Sequence, residues 1–173
     1  MSELRQPQPA NDRETATTRD DKLELRLWLR LLTCSNLIER NVRAALRERF
    51  DTTLPRFDLL AQLDRAPDGL TMSDLSARMM VSNGNITGLT DRLVEEGLVK
   101  RTQSPRDRRS SRVGLTPAGK KAFDAMTPEH ELWIDTMMAG LSRQEMQQLF
   151  QLLGRLKQSV QTNAADADKE ESR

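Results

Sequence analysis

Between residues 22 and 50 the chain has no proline or glycine. Leu23, Leu27 and Leu31, then Ile38, Val42 and Leu46, recur at the spacing of one helical face. The spacing predicts one long helix, roughly 40 Å at about 1.5 Å per residue, longer than a small domain needs for itself. Part of its apolar face is expected to pack against something outside that domain. Leu54-Pro55 restarts the chain, and Phe57, Leu60, Ala61 and Leu63 carry a second apolar face to the turn Ala66-Pro67-Asp68-Gly69. Thr71 and Asp74 have the spacing of a capping box, which would open a brief helix burying Leu75 and Met79; Ser82 can cap the next.

In that next helix, over 83–96, Ile86, Leu89 and Leu93 share one side. Helical geometry then turns Gly84, Gly88, Asp91 and Glu95 outward, flanked by Asn85, Thr87 and Arg92. Glycine in a short helix costs about 1 kcal/mol relative to alanine, so an outward pair implies close approach of another surface. Gly97 stops the helix, and residues 98–102 and 112–115 read as two short strands of a hairpin. Thr116-Pro117 reads as a cap and a first-turn proline for a helix expected to break at Thr127-Pro128. A further apolar set, Leu132, Trp133, Ile134, Met137 and Met138, leads to Gly140. Ser142 and Glu145 then form a capping box for a last helix. Met146, Leu149, Leu153, Leu156 and Val160 give that helix a regular stripe up to a polar end after Gln161.

Composition narrows the function. The 173 residues, 36% hydrophobic and 31% charged, suit one soluble domain. With 27 Lys and Arg against 26 Asp and Glu, bulk charge announces no polyanion binder, so any electrostatic function must be local. The hairpin supplies it: Lys100, Arg101, Arg106, Arg108, Arg109 and Arg112 stand there with Asp107 as the only acid. No stretch approaches the roughly 20 apolar residues of a membrane span. The opening segment lacks the apolar run of a secretory signal, so a cytoplasmic protein is expected. A single cysteine, Cys34, and a single histidine, His130, leave neither an intrachain disulfide nor a zinc site, and no cofactor is implied. A hydrolase built on His130 would lack an activated nucleophile, and the chain reads as no enzyme.

A capped short helix, a turn, a second helix with a polar outer face and a basic hairpin follow the order of a winged helix-turn-helix. Three blocks extend the pattern: Leu70-Thr71-Met72-Ser73-Asp74-Leu75; Ile86-Thr87-Gly88-Leu89-Thr90-Asp91-Arg92-Leu93 with Gly97-Leu98-Val99-Lys100-Arg101; and Asp107-Arg108-Arg109-Ser110 with Leu115-Thr116-Pro117-Ala118-Gly119. In these the chain resembles the multiple antibiotic resistance regulator (MarR) family, over about residues 21–160. The resemblance implies a mainly α fold with a small β-hairpin, a winged helix-turn-helix with N- and C-terminal dimerisation helices. The regulator domain would occupy 21–162, between disordered tails at 1–20 and 163–173. Dimerisation helices are expected at about 21–50 and 117–162, and a DNA-binding head at about 55–116. The implied function is a homodimeric repressor on a pseudo-palindromic double-stranded DNA operator. The overlong first helix and striped last helix agree, since one small head could not cover both apolar faces.

On DNA, the helix over 83–96 would enter the major groove. Its N-terminal half would bring Ser82, Asn83, Asn85 and Thr87 to base edges or phosphates, with Arg92 on the same outer face. Gly84 and Gly88 permit the close approach; family members often carry a longer polar residue where Gly88 stands, so shape replaces direct readout there. The resemblance assigns Arg109 to the minor groove, oriented by Asp107, and leaves Arg106, Arg108 and Arg112 for phosphates. Relatives commonly release DNA when a small aromatic or phenolic anion binds between the dimerisation helices and the head. Ser35, Asn36, Arg40 and Arg43, with Trp28 and Phe57 as apolar walls, are the candidate effector site. A plainer reading leaves Arg40 and Arg43 solvated or paired with Glu39 and Glu48, and makes Trp28 and Phe57 core. The string from Gly84 to Leu89 is similar to branches controlling aromatic-acid or aromatic acyl-CoA degradation. Two alternatives stand beside this. One is thiol-based redox sensing through Cys34, set against a buried, inert thiol because Cys34 lies deeper along its helix than the reactive cysteine of such relatives. The other is a helical protein-interaction adaptor without DNA binding, which leaves the basic hairpin unexplained.

Overall fold

The computed structural model describes residues 22–103 and 111–171. Its elements follow in the order α1 (Leu23–Phe50), α2 (Leu54–Asp64), β1 (Leu70–Thr71), α3 (Met72–Met79), α4 (Asn83–Glu95), β2 (Val99–Gln103), β3 (Ser111–Leu115), α5 (Pro117–Met138) and α6 (Arg143–Glu171). The chain divides after Glu131 into two compact units.

In the first unit, α1 keeps its uninterrupted helical spacing yet buries only Val42 and Leu46, both in its C-terminal half. Asp51 closes it in the left-handed conformation, its N–H turned back to the Arg47 carbonyl at 3.2 Å and the Thr52 N–H to that of Leu46 at 3.4 Å. Proline near the start of α2 lacks an N–H that would find no helical partner there anyway. Phe57, Leu59, Leu60 and Leu63 of α2 meet Leu75 of α3, Ile86 and Leu93 of α4, Val99 of β2 and Val113 of β3 in one buried core. The Thr71 capping box forms: the Asp74 N–H donates to Thr71 Oγ1 at 3.1 Å, and the Thr71 N–H to Asp74 Oδ2 at 3.3 Å. The Thr71 hydroxyl, donating to Asp74 Oδ2 at 2.8 Å, and then the Thr71 N–H hold the Asp74 carboxyl below its ordinary range.

The sheet is antiparallel in the order β1-β3-β2, with Val99 opposite Leu115 and Gln103 opposite Ser111. The expected hairpin thus gains a third strand, Leu70 pairing with Val113 and Thr71 with Arg112. Two residues have no periodicity to read, which is why spacing alone did not reveal β1.

Three further expectations are corrected. The helix opened by Thr116 does not break at Thr127-Pro128: α5 runs through Pro128 to Met138. The proline removes one N–H that would have bonded the Asp124 carbonyl, and both residues face solvent. Thr127 Oγ1 meanwhile donates to the Phe123 carbonyl at 3.0 Å, inside the same turn. Next, α6 continues beyond Gln161 to Glu171. Finally, Cys34 is exposed rather than buried: among the described residues α1 buries only Val42 and Leu46, both nearer its C-terminal end.

The second unit holds the end of α5 and α6. The Ser142 capping box forms, with the Ser142 N–H donating to Glu145 Oε2 at 2.8 Å and the Glu145 N–H to Ser142 Oγ at 3.3 Å. From 143 to 163 every residue of α6 is exposed.

Candidate nucleic-acid interface

The wing and the helix pair are fixed to each other by a short knot of backbone. Thr116 Oγ1 donates to the Gly97 carbonyl at 2.7 Å and accepts the Gly119 N–H at 3.0 Å, while the Thr116 N–H donates to the Leu98 carbonyl at 3.1 Å. A Cβ on Gly119 would overlap the Leu98 carbonyl oxygen, so only glycine lets α5 start this close to β2. Leu115-Thr116-Pro117-Ala118-Gly119 is thus the joint that aims the wing.

Two ion pairs orient α4. Arg101 of β2 meets Asp91 at 2.5 Å. Arg56 of α2 clamps Glu96, at the C-cap of α4, with both guanidinium branches, one of them at 2.7 Å. Each partner stabilises the other's charge, raising the Arg56 pKa and lowering that of Glu96. Thr90, fully buried, donates to the Ile86 carbonyl at 2.7 Å and so lies on the core side of α4. Sequence reasoning missed Asp91–Arg101, Arg56–Glu96 and Thr90. Opposite charges so far apart in sequence carry no periodic signal, and only the position of Thr90, four residues after Ile86, hinted at burial.

With that side fixed, Gly84, Asn85, Thr87, Gly88 and Arg92 are exposed along the opposite face. No neighbouring atom lies within 4 Å of a Cβ built on Gly84 or Gly88, and neither has the left-handed backbone that would call for glycine. The fold itself therefore does not require them. A cleft of about 480 Å³ runs along this face, lined by Gly84, Asn85, Gly88 and Arg92 and bounded by Met79, Val81 and the start of α2. Ser82 occupies the N-cap position in extended conformation without a side-chain cap bond. Asn83 is the first residue of α4. Arg112 is engaged in the fold, donating to the Gly69 carbonyl at 2.8 Å. Arg106, Asp107, Arg108 and Arg109 lie outside the described residues.

The expected effector residues do not converge. Phe57 is only 6% exposed, its ring stacked on His130 at 4.6 Å between centroids and 5.5 Å from Phe123. Trp28 is 57% exposed, and about 22 Å of helix separates it from Arg43. Ser35, Asn36 and Arg40 are exposed on α1, and Arg43 pairs with Glu39, as the plainer reading had it. A different cleft, about 320 Å³, joins Arg43 to Arg47, Thr52, Thr53 and Leu54. Nearby, burial pushes the Asp58 carboxyl pKa up, Glu39 adds to the rise and Arg43 opposes it. Among the described residues there is no group of three metal-ligating side chains, and no helix is long and apolar enough to cross a membrane.

Comparison with known proteins places this geometry. The sequence signature of the MarR family covers residues 52–111, from the start of α2 to the wing. The transcriptional activatory protein BadR of Rhodopseudomonas palustris is 33% identical over 116 residues, spanning 65% of this chain and 66% of that protein. The crystal structure of a MarR family transcriptional regulator from Silicibacter pomeroyi superposes with a TM-score of 0.68 at 31% identity, covering 79% of this chain and 94% of that one. A mutant MarR from E. coli, solved in complex with operator DNA, superposes with a TM-score of 0.69 at 25% identity, over 79% of this chain and 99% of that one. With α4 and its wing built as described, the chain belongs to the MarR family of DNA-binding transcriptional regulators.

Proposed function

We propose that the protein works as a homodimeric repressor on a pseudo-palindromic operator, released by a small aromatic acid or its CoA thioester. The observation that carries the DNA half of this reading is the exposed row of Gly84 and Gly88, glycines the fold does not need, on the face of α4 away from the core. Asn83, Asn85 and Thr87 then serve base edges or phosphates, Arg92 the duplex backbone, and Arg109, oriented by Asp107, the minor groove.

Exposed apolar side chains support the dimer. Leu23, Leu25, Leu27 and Trp28 stand out on α1, and Met146, Leu149, Phe150, Leu153 and Val160 on α6. Surfaces of that extent are what a second copy covers. For the effector, the cleft beside Arg43 and Arg47 offers cationic anchors for a carboxylate and two threonine hydroxyls.

Footprinting on the DNA upstream of its own gene, with sedimentation at the same concentration, tests the core of the reading. Two protected half-sites about one helical turn apart and a dimeric mass are expected. A monomer, or one asymmetric half-site, refutes it. Calorimetry against benzoates, hydroxycinnamates and their CoA thioesters tests the effector, and silence across the panel removes it. BadR, by its name an activator, favours a second reading in which the bound dimer raises transcription. In vitro transcription from the footprinted promoter decides the sign.

A further inference from the structure

Four of the described residues have left-handed backbones. Gly69 and Gly97 adopt that conformation without steric cost, and Asp51 carries the short polar side chain that tolerates it. The fourth is Met80, at φ 54°, in the turn between α3 and α4. Met80 fills the slot that glycine usually takes after a helix. Its N–H turns back to the Ala77 carbonyl at 3.3 Å, and the Val81 N–H reaches the Ser76 carbonyl at 3.2 Å. A long side chain in such a backbone is ordinarily compensated by burial, yet that of Met80 is 90% exposed. Its chain neighbours Met79 and Val81 edge the cleft along Gly84 and Gly88, so the Met80 backbone lies beside the face of α4 that the reading above gives to DNA. Strain without packing, beside an interface, points to a contact made only in the complex.

We infer that Met80 is a specificity-determining residue whose side chain lies against the 5-methyl group of a thymine when α4 occupies the major groove. This rests on the reading of α4 as the groove-entering helix. A thioether chain has no donor and only a weak acceptor, so it can recognise only apolar matter. In the major groove the base edges offer apolar matter at one place, the thymine methyl. An unbranched, polarizable chain adapts to such a small convex target better than a branched one.

The test uses the full-length protein and duplexes that the wild type selects from a random-sequence library. Met80→Gly relieves the backbone and is expected to melt at a higher temperature than wild type. It is nevertheless expected to bind the selected duplex about fourfold more weakly per half-site, the worth of one buried methyl-sized group. Met80→Leu should keep most of the affinity. Replacing half-site thymines by deoxyuridine should cost the wild type the same factor and cost Met80→Gly nothing. Unchanged affinity of Met80→Gly, or a loss that is equal on thymine and deoxyuridine duplexes, overturns the assignment of Met80 alone. Failure of the wild type to select any duplex removes the groove-entering reading of α4 as well, and is told apart by that control.

Discussion

Replacing Gly88 by alanine separates what the fold needs from what the interface needs. Gly88 lies well inside α4, has an ordinary helical backbone, and offers open space to an added methyl. The variant therefore gains the full helix-propensity difference, about 1 kcal/mol, with no clash to set against it. In a chain of this length that raises Tm by roughly 2–4 °C. Gly84→Ala, in the first turn of α4, is expected to gain about half as much. On DNA the same methyl occupies space that the groove edge would fill, and a loss on the order of 1–3 kcal/mol in specific binding is expected. No phosphate contact is removed, so the slope of log affinity against log salt should not change. Thermal melting and fluorescence anisotropy on a footprinted duplex, at several salt concentrations, read all three quantities. Stability and affinity moving in opposite directions is the signature. A variant that melts higher and binds as well as wild type would refute the claim that this face meets the duplex, and one that melts lower would refute the space argument.

Other expectations follow from single contacts. Gly119→Ala forces a methyl into the Leu98 carbonyl and should cost roughly 3 kcal/mol or more, seen as a large drop in Tm. A melt within 1–2 °C of wild type would contradict the close approach. Asp58 has a pKa raised chiefly by burial, so its protonated form is the one the fold favours. The contribution is fully present below its ordinary value near 3.8 and is lost as pH rises through the raised folded value. Asp58→Asn should therefore stabilise the protein at pH 7, by no more than about 1 kcal/mol after solvent screening, with the gain vanishing in acid. His130 has the opposite sign: burial lowers its pKa, Glu131 partly opposing, so its contribution is intact above 6.5 and is lost as pH falls through the lowered folded value. Melts between about pH 7.5 and 5.5 should decline in wild type and stay flatter in His130→Gln. Equal slopes in the two proteins would remove the histidine from the account.

Long, regular signals were legible in the chain before its structure. The stripes of α1 and α6, the Thr71 and Ser142 capping boxes and the outward glycines of α4 each rest on a spacing fixed by helix geometry. What escaped were features set by the tertiary neighbourhood. β1 is too short to have a period, and Arg56 and Glu96 meet across 40 residues with no local mark. Pro128 reads as a stop in sequence, yet it falls on a solvent side of α5 where a missing N–H is tolerated. Trp28 and Phe57 look alike as aromatic residues on apolar faces, and only packing separates an exposed ring from one held between Phe123 and His130. The motif around Thr116 was readable as a cap, but the reason for its glycine is the Leu98 carbonyl.

That joint has a practical consequence for grafting. Because Thr116 and Gly119 grip Gly97 and Leu98, a transplanted wing cut at the ends of its strands would arrive without its socket. Chimaeras that exchange operator preference between relatives should splice farther out on the hairpin, beyond the paired Gln103 and Ser111, or else carry the whole segment from Gly97 to Gly119 as one cassette.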